Sequence, residues 1–371
     1  MVRIVRVGAR SGKTNWHEAL KDLRADDMLF LEPGFYDLPQ GITLTDITIK
    51  GTGSSPEDTT IMGYVSVSED SRYVTLENLC INTNTEHNSV FVPTNADSYL
   101  TLRNCVIKGT GTDTAAVAAN GKVTLELYST TIMNGSLSMF AASDFKLEMN
   151  DSVVNYKSDQ YCAFALEGKG TAIVNNSTIH GSTNTFHTTN IEFNANNSTF
   201  DYLLLNGQTW INMLKCRVLS KEDSCFYLSE NCWGNISGST FAGGVYIDKQ
   251  AKAIIQNCEI NRLIAVNNAD VSIISSQIAA HADFQDSTKT YASRVSFSGN
   301  MQYEYYLAVS GQAQFEGQDL ILNANGSKLA VQDDASFKVS VVASDQANLE
   351  IESNKKPNVK IFGMNWTVKK K

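Results

Sequence analysis

Short runs in which apolar and polar residues alternate recur along most of the chain. Two of them are Leu100-Thr101-Leu102-Arg103 and Val123-Thr124-Leu125-Glu126. Alternation with a period of two residues is typical of a half-buried β-strand. A further apolar run often follows, for example at residues 162–166 and 225–228. The pattern therefore predicts an all-β chain in which two or three short strands are repeated many times.

A four-residue motif punctuates these strands: Asn, a small residue, any residue, then an apolar residue. The clearest copies are residues 104–107, 176–179, 197–200 and 257–260. Degenerate copies lie between and beside them, at 129–132, 151–154, 215–218, 238–241 and 275–278. The closing apolar residue moves from Ile107 to Ile278 in eight steps of about 21 residues each, a period found in stacked repeat proteins.

The repeat has a physical interpretation. One turn of two or three strands cannot bury its own apolar face, whereas stacked turns bury a continuous core and pair their strands in parallel. Asn tolerates the left-handed backbone conformation of a sharp corner. We therefore expect corner positions, with side chains that hydrogen-bond from turn to turn, at four residues: Asn104, Asn176, Asn197 and Asn257.

The second motif position takes a small residue, which we expect to face the interior. Cys occupies this position three times, at Cys105, Cys216 and Cys258, where other copies have Ser. A free Cys behaves as a small buried hydrophobic residue. The chain has seven Cys, an odd number, so these three are interpreted as packing residues and not as disulfide partners.

Through this repeat, residues 40–345 resemble the right-handed parallel β-helix proteins, the superfamily of pectate lyases and polygalacturonases. The N-terminal part is similar to the opening of that family as well: an amphipathic segment at 16–23, then a strand and Pro33-Gly34-Phe35-Tyr36. The resemblance implies a right-handed parallel β-helix capped by an N-terminal α-helix, for which Thr14 is a suitable N-cap. The expected organisation is a single domain, 1–371, with a cap at 1–40, stacked turns at 41–345 and a C-terminal strand or cap at 346–371.

Composition limits the class of protein, its possible partners and its expected location. Hydrophobic residues make up 42% and charged residues 19% of the 371, which argues against disorder. The net charge of −9 disfavours nucleic acid as a partner, and no apolar stretch approaches the ~20 residues of a membrane span. The N-terminus lacks the apolar segment of a secretory signal, which predicts a cytoplasmic location. An extracellular or virion location stays open, because a signal can be removed before a chain is produced.

Cofactor motifs are weak. The segment from Gly8 to Thr14 is similar to a phosphate-binding loop, but it has three residues before Gly-Lys-Thr where that loop requires four. No spacing of Cys and His predicts a metal site. We therefore expect neither a nucleotide nor a metal, with Ca²⁺ relevant only if the protein is a lyase.

Catalytic signals of the family are also missing, since the chain has no Gly-His-Gly and no Arg-Ile-Lys. A non-catalytic module that binds a glycan or a protein partner is therefore favoured. The alternative is a polysaccharide lyase or glycoside hydrolase for an acidic polysaccharide, with its site assembled from several turns. Its candidate residues are Asp113, Asp159 and Glu167 with Arg103 or Lys169. The adjacent Asp333 and Asp334 would point to opposite faces of a strand, so solvated turn positions suit them better.

Aromatic residues give the candidate ligand-binding positions, because exposed rings stack on sugar rings. Tyr303, Tyr305 and Tyr306 surround Glu304, and Trp210 and Trp233 fall in successive turns. A third possibility is a phage-type or surface adhesin that oligomerises, with a C-terminal strand at 360–368 as an assembly element.

Overall fold

The computed structural model describes residues 2–8, 13–111 and 114–370, with the backbone alone at 141–143. The chain forms two compact units, Met1–Asn194 and Ala195–Lys371. Within the described residues there are one α-helix, α1 Trp16–Lys21, one 3-10 helix, Pro56–Asp58, and 37 strands. The expected all-β fold is confirmed.

The strands of unit 1 are β1 Ile4–Val7, β2 Met28–Leu31, β3 Gly34–Leu44, β4 Ile47–Gly51, β5 Thr59–Val67, β6 Tyr73–Glu77, β7 Cys80–Asn82, β8 Val90–Val92, β9 Asp97–Arg103, β10 Val106–Lys108, β11 Val117–Ala119, β12 Lys122–Tyr128, β13 Thr131–Met133, β14 Leu137–Asn150, β15 Val153–Asn155, β16 Phe164–Asn175, β17 Thr178–Thr185 and β18 Asn190–Asn196, within which the unit ends. The strands of unit 2 are β19 Thr199–Leu205, β20 Gln208–Leu214, β21 Arg217–Val218, β22 Phe226–Leu228, β23 Trp233–Ser237, β24 Thr240–Ile247, β25 Lys252–Gln256, β26 Glu259–Ala265, β27 Asp270–Ile274, β28 Gln277–Phe284, β29 Lys289–Ser293, β30 Ser296–Ser298, β31 Tyr305–Val309, β32 Gln314–Asn323, β33 Lys328–Val331, β34 Ser336–Ser344, β35 Leu349–Ser353, β36 Asn358–Phe362 and β37 Trp366–Lys370.

Each unit is a parallel β-solenoid. In unit 1, strands of successive turns pair in parallel, and one inward column runs through six turns with every member fully buried: Ile49, Leu76, Leu102, Leu127, Met149 and Val174. Unit 2 is built in the same way, for example where Ile236 pairs with Ile255 and Ile255 with Ile273. The alternation in sequence places these side chains inside and their neighbours outside.

The corner expected from the motif is present in both units. Asn104, Asn176, Asn197 and Asn257 all have left-handed backbones, with φ between 47° and 53°. In unit 1 the amide of Asn104 donates to Oδ1 of Asn78 at 2.8 Å, and the amide of Asn78 donates to the carbonyl of Gly51 at 3.1 Å. The stacked Asn hydrogen bonds of the repeat are therefore confirmed.

The small residue after the corner has a role beyond packing. The amide N–H of Cys105 donates to Oγ1 of Thr130 at 3.3 Å, and that of Thr130 donates to Oγ of Ser152 at 3.0 Å. In unit 2 the amides of Cys216 and Cys258 donate to seryl oxygens of the following turn, both at 3.0 Å. The three Cys are free and buried, as expected. This position therefore satisfies buried backbone N–H groups that the strand ladders leave at the corner.

The length of a turn varies more than the mean period of the motif suggests. The number of residues in the turn from Lys252 to its partner Asp270 is small, whereas the turn from Ile47 to its partner Val74 contains half as many again. The additional residues of a long turn form loops. Two loops of unit 2 matter below: residues 219–225, between β21 and β22, and residues 299–304, between β30 and β31.

Both ends of the chain differ from expectation. The capping helix is only the six residues of α1, and its N-cap is Asn15, whose side chain accepts from the amide of His17 at 2.9 Å. Thr14 instead forms a β-bridge with Val7. At the other end, Gly363 with φ of 91° divides the expected strand 360–368 into β36 and β37. Among the described residues, no helix combines the length and the apolar character needed to cross a bilayer.

Candidate functional site

The catalytic candidates of the sequence are engaged with different neighbours. Arg103 ends β9, with its guanidinium 5.0 Å from the ring centroid of Tyr128. Glu167 accepts a hydrogen bond from Oγ1 of Thr188 at 2.9 Å. Asp159 is exposed between β15 and β16, and Asp113 lies outside the described residues. None of these contacts joins one of the described candidates to another.

Lys169 belongs to a groove of about 580 Å³ in unit 1. Lys122 pairs in register with Asp97 and lies 2.8 Å from its carboxylate, and Lys169 lies 3.7 Å from Asp144. The hydrogen bond from Lys122 to Asp97 raises the pKa of that lysine. Charges of opposite sign thus alternate from turn to turn and neutralise each other, so this groove has little charge left with which to attract a ligand.

An exposed aromatic pair lies on the outer face of unit 2. Trp210 is 54% exposed and Trp233 is half-buried, and their ring centroids are 4.9 Å apart at an interplanar angle of 62°. Strand alternation produces this face, because Thr209, Ile211 and Met213 of β20 are buried while the residues between them are not.

Amide side chains flank the tryptophans. Trp210 pairs in register with Trp233, and two residues further along the same strands Asn212 pairs with Asn235. Residues two apart on a strand share a face, so rings and amides form two adjacent rows. We call these four residues the tryptophan face. Aromatic rings beside a few directed polar groups are a common composition of ligand sites.

The three tyrosines around Glu304 do not form one exposed cluster. Tyr306 is fully buried, and burial raises the pKa of its hydroxyl. The sequence predicts a ligand-binding ring at Tyr306, but an irregularity in β31 between Tyr305 and Leu307 places Tyr306 and the adjacent Leu307 both in the core. The carbonyl of Tyr305 lies 2.6 Å from Nδ1 of His281. Tyr303 and Tyr305 are both half-buried and stay candidates, and the ring of Tyr303 lies parallel to that of His281, 5.2 Å away at 11°.

Tyr303 belongs to a polar cluster that sequence reasoning missed. Arg262 forms an ion pair with Asp223, and its guanidinium lies 5.6 Å from the Tyr303 ring centroid. His281 pairs in register with Arg262, and its Nε2 is 4.0 Å from Oδ2 of Asp283. We call these five residues the Arg262 cluster. The sequence gives only a weak signal for this cluster. His281 and Asp283 are polar residues at alternate positions of β28, and Arg262 lies one turn before them.

The Arg262 cluster is half-buried although it lies outside the core. Only 15% of the His281 side chain and 18% of the Asp283 side chain are exposed. Burial raises the pKa of Asp283, against an opposing hydrogen bond from Gln285 at 2.6 Å. Because a carbonyl oxygen can only accept, the contact with Tyr305 places a proton on Nδ1 of His281. Nε2 is thereby directed toward Asp283.

The acidic pair Asp333 and Asp334 serves a corner. Asp333 has φ of 58°, and hydrogen bonds from the Asn354 side chain and the Gly311 amide lower its pKa. Asp334 forms an ion pair with Lys355. This arrangement agrees with the solvated turn expected from the sequence. In the part of the chain that the structure describes, no three His, Cys, Asp or Glu side chains come together as metal ligands.

Comparison with known proteins assigns no family to the chain. No family model matches the chain, and no curated protein matches it. A solved structure that matches is the catalytic domain of a GH87 α-1,3-glucanase in complex with nigerose, with 11% identity over 99% of this chain and 67% of that chain and a TM-score of 0.30. A variant of the same catalytic domain, in complex with tetrasaccharides, matches with the same identity and coverage and a TM-score of 0.28. At these scores the likeness carries no argument about activity.

Proposed function

We propose that this protein is a non-catalytic module that binds a neutral glycan on the tryptophan face. The observation that carries the proposal is the Trp210–Trp233 pair, whose ring centroids are 4.9 Å apart, with Trp210 54% exposed and Trp233 half-buried. Each ring offers an apolar surface on which the C–H groups of a sugar ring can stack. Asn212 and Asn235 lie in the adjacent row, where their amides can hydrogen-bond to hydroxyl groups.

The solenoid favours binding by holding these groups in place before the ligand arrives. Backbone pairing fixes the two strands at a spacing of about 4.8 Å, and tryptophan has only two side-chain torsions to immobilise. The entropy cost of ordering such a site is therefore small. The net charge of −9 disfavours a strongly anionic glycan, which is why a neutral one is proposed.

A glycan array followed by titration calorimetry tests this proposal. We expect wild-type protein to bind a neutral oligosaccharide, and Trp210→Ala and Trp233→Ala each to weaken binding about tenfold, equivalent to about 1.4 kcal/mol. Trp366→Ala is the matched control, because that half-buried tryptophan lies on β37, away from the tryptophan face. Equal losses in all three variants, or no glycan bound by wild type, would contradict the proposal.

A second candidate function is glycoside hydrolysis at the Arg262 cluster, and one observation favours it. Burial raises the pKa of Asp283, as a general acid requires. The assay is release of reducing ends from the glycan that the array identifies. Release by wild type and its loss in Asp283→Asn would replace the non-catalytic proposal. No release by wild type would refute hydrolysis.

We also propose that the solenoid is right-handed. Connections between parallel strands of one sheet are right-handed in nearly all proteins, and the strands of successive turns pair in parallel here. An experimental structure with left-handed connections would contradict this.

A further inference from the structure

Two loops flank a groove on the outer face of unit 2. Its floor consists of β24, β26 and β28, which have no loop at this position, although their pairing shifts in register before Gly244 and before Arg262. Loop 219–225 precedes the floor strands in the stack and loop 299–304 follows them, since β22 pairs with β24 and β31 with β28. The groove is therefore three strands wide, and side chains from both loops can reach its middle strand.

Two glycines allow the first loop to lie on the floor. A Cβ at Gly243 would overlap the carbonyl oxygen of Glu222, and a Cβ at Gly244 would overlap that of Asp223. Without those atoms the loop backbone packs directly on β24, and the Asp223 carboxylate reaches Arg262 on the next strand. The position of Asp223 is thus set by the absence of side chains beneath it.

Arg262 lies where the two loops meet. It is 5% exposed, with Asp223 of one loop at its Nη1 and the Tyr303 ring of the other beside its guanidinium. Its Nε–H is buried and has no hydrogen-bond acceptor among the described residues. A buried donor without an acceptor is unfavourable and uncommon. The arrangement lacks one acceptor oxygen next to Arg262.

We propose that Arg262, His281 and Asp283 form a second sugar-binding site, for one pyranose ring of a neutral glycan, and that Tyr303 occupies this site in the present structure. The Tyr303 ring lies flat on His281, 5.2 Å away at 11°, as a sugar ring stacks on an aromatic one. A pyranose in its place supplies hydroxyl oxygens as acceptors for the guanidinium. The same hydroxyls donate to Asp283 and to Nε2 of His281, which the Tyr305 carbonyl holds in orientation.

The charges of the groove select a neutral ring. Asp223 and Asp283 accompany the single guanidinium of Arg262, so a carboxylated or sulfated sugar would meet one cation and two carboxyl groups. The inference takes its ligand class from the proposed function, but it concerns other residues than the tryptophan face. It also implies that wild-type protein binds weakly here, because apparent affinity falls with the fraction of molecules in which Tyr303 is displaced.

The test compares Tyr303→Ala with wild type on the glycan array and by calorimetry with the array's best neutral oligosaccharide. If the site is open in about a tenth of the molecules, removal of the ring raises affinity about tenfold. Tyr303→Phe keeps the ring and should keep wild-type affinity. Tyr291→Ala, which removes an exposed tyrosine elsewhere on unit 2, should change nothing. The gain in affinity of Tyr303→Ala must persist when Trp210→Ala is added to it, and it must disappear when Asp283→Ala is added instead.

Each outcome separates this inference from the proposed function. If wild type binds through the tryptophan face and Tyr303→Ala gains nothing, only the second site is refuted. If wild type binds no glycan and Tyr303→Ala does, the proposed function falls and the second site stands; if neither binds, both are refuted. Should Tyr303→Ala fail to fold, Asp223→Asn decides instead. Asp223 is 86% exposed, and its neutral replacement frees Arg262 for the ligand, so affinity must rise there too.

Discussion

Replacing Phe315 with Ala removes the central ring from a stack of four phenylalanines in unit 2. Phe315 is 1% exposed, and its ring centroid lies 5.2 Å from Phe284, 5.9 Å from Phe297 and 5.2 Å from Phe337. The other three rings are fully buried. Because these neighbours are themselves packed in the core, the substitution leaves a cavity among them.

The expected cost is large. Replacing a buried phenylalanine with Ala lowers the free energy of unfolding by about 3–5 kcal/mol. Each aromatic pair contributes about 0.5–1.5 kcal/mol beyond the burial of its area. With three ring partners, we expect about 5 kcal/mol, at the upper end of the range. Since about 1.4 kcal/mol is a factor of ten, amide hydrogen exchange of the affected turns should accelerate on the order of 10³-fold.

Hydrogen exchange with mass spectrometry measures both size and extent. Each turn of a solenoid contacts only its neighbours, so we expect the acceleration in β29, β32 and β34 and not in unit 1. The matched control is Phe35→Ala, because Phe35 is 80% exposed and its loss should cost no more than about 0.5 kcal/mol. Exchange in Phe315→Ala that is no faster than in this control would refute the reasoning.

Three further predictions concern single side chains. Asn104→Ala should lower the free energy of unfolding, measured in urea, by about 2 kcal/mol, because Ala is strained in the left-handed backbone and the hydrogen bond to Asn78 is lost. Asn104→Gly should lower it by about half as much, because Gly adopts φ of 47° without strain. Equal losses in the two variants would contradict this. Burial raises the pKa of the Cys105 thiol to about 12, so a disulfide reagent at pH 8 should label the half-buried Cys162 first, as peptide mass spectrometry can check. Burial raises the pKa of Asp283, so between the pKa of the unfolded chain and this raised pKa the folded protein binds more protons and loses stability as pH rises. Asp283→Asn should therefore raise the melting temperature at pH 7 and leave it unchanged at pH 3.

The corner was predictable because its cause is local. A left-handed backbone favours Asn over almost any other residue with a side chain, so Asn104 and Asn257 mark corners without knowledge of their neighbours. The length of the cap helix depends on more distant partners. The carboxylate of Asp22 binds Arg3 and Arg24, at 2.5 Å and 2.8 Å, and α1 ends at the residue before it. Arg24 is two residues from Asp22, whereas Arg3 is 19 residues away, so the local sequence does not reveal this second partner.

The Arg262 cluster could not be found from the sequence for a related reason. Arg262 and His281 become neighbours only when the exact step between β26 and β28 is known at that point, and the steps elsewhere in unit 2 differ, as the pairs Lys252–Asp270 and Lys289–Gln314 show. A constant mean period therefore places the wrong side chains in register. By contrast, Trp210 and Trp233 were recognisable as candidates, since each is a rare residue in an obvious strand.

The repeat and its interruptions therefore have separate physical roles. The strands β24, β26 and β28 form the floor of the groove in unit 2, where strand pairing and core packing leave little freedom. The residues added to the neighbouring turns are free of the strand ladder, and they bring Asp223 and Tyr303 over Arg262. Replacing Asp223 or Tyr303 alters the covering of the groove without removing a side chain from the core beneath it, since neither residue belongs to that core, unlike the fully buried Cys225 at the end of the first loop. Selectivity for a ligand can in this way change in the loops while the solenoid keeps the stability of its stacked turns.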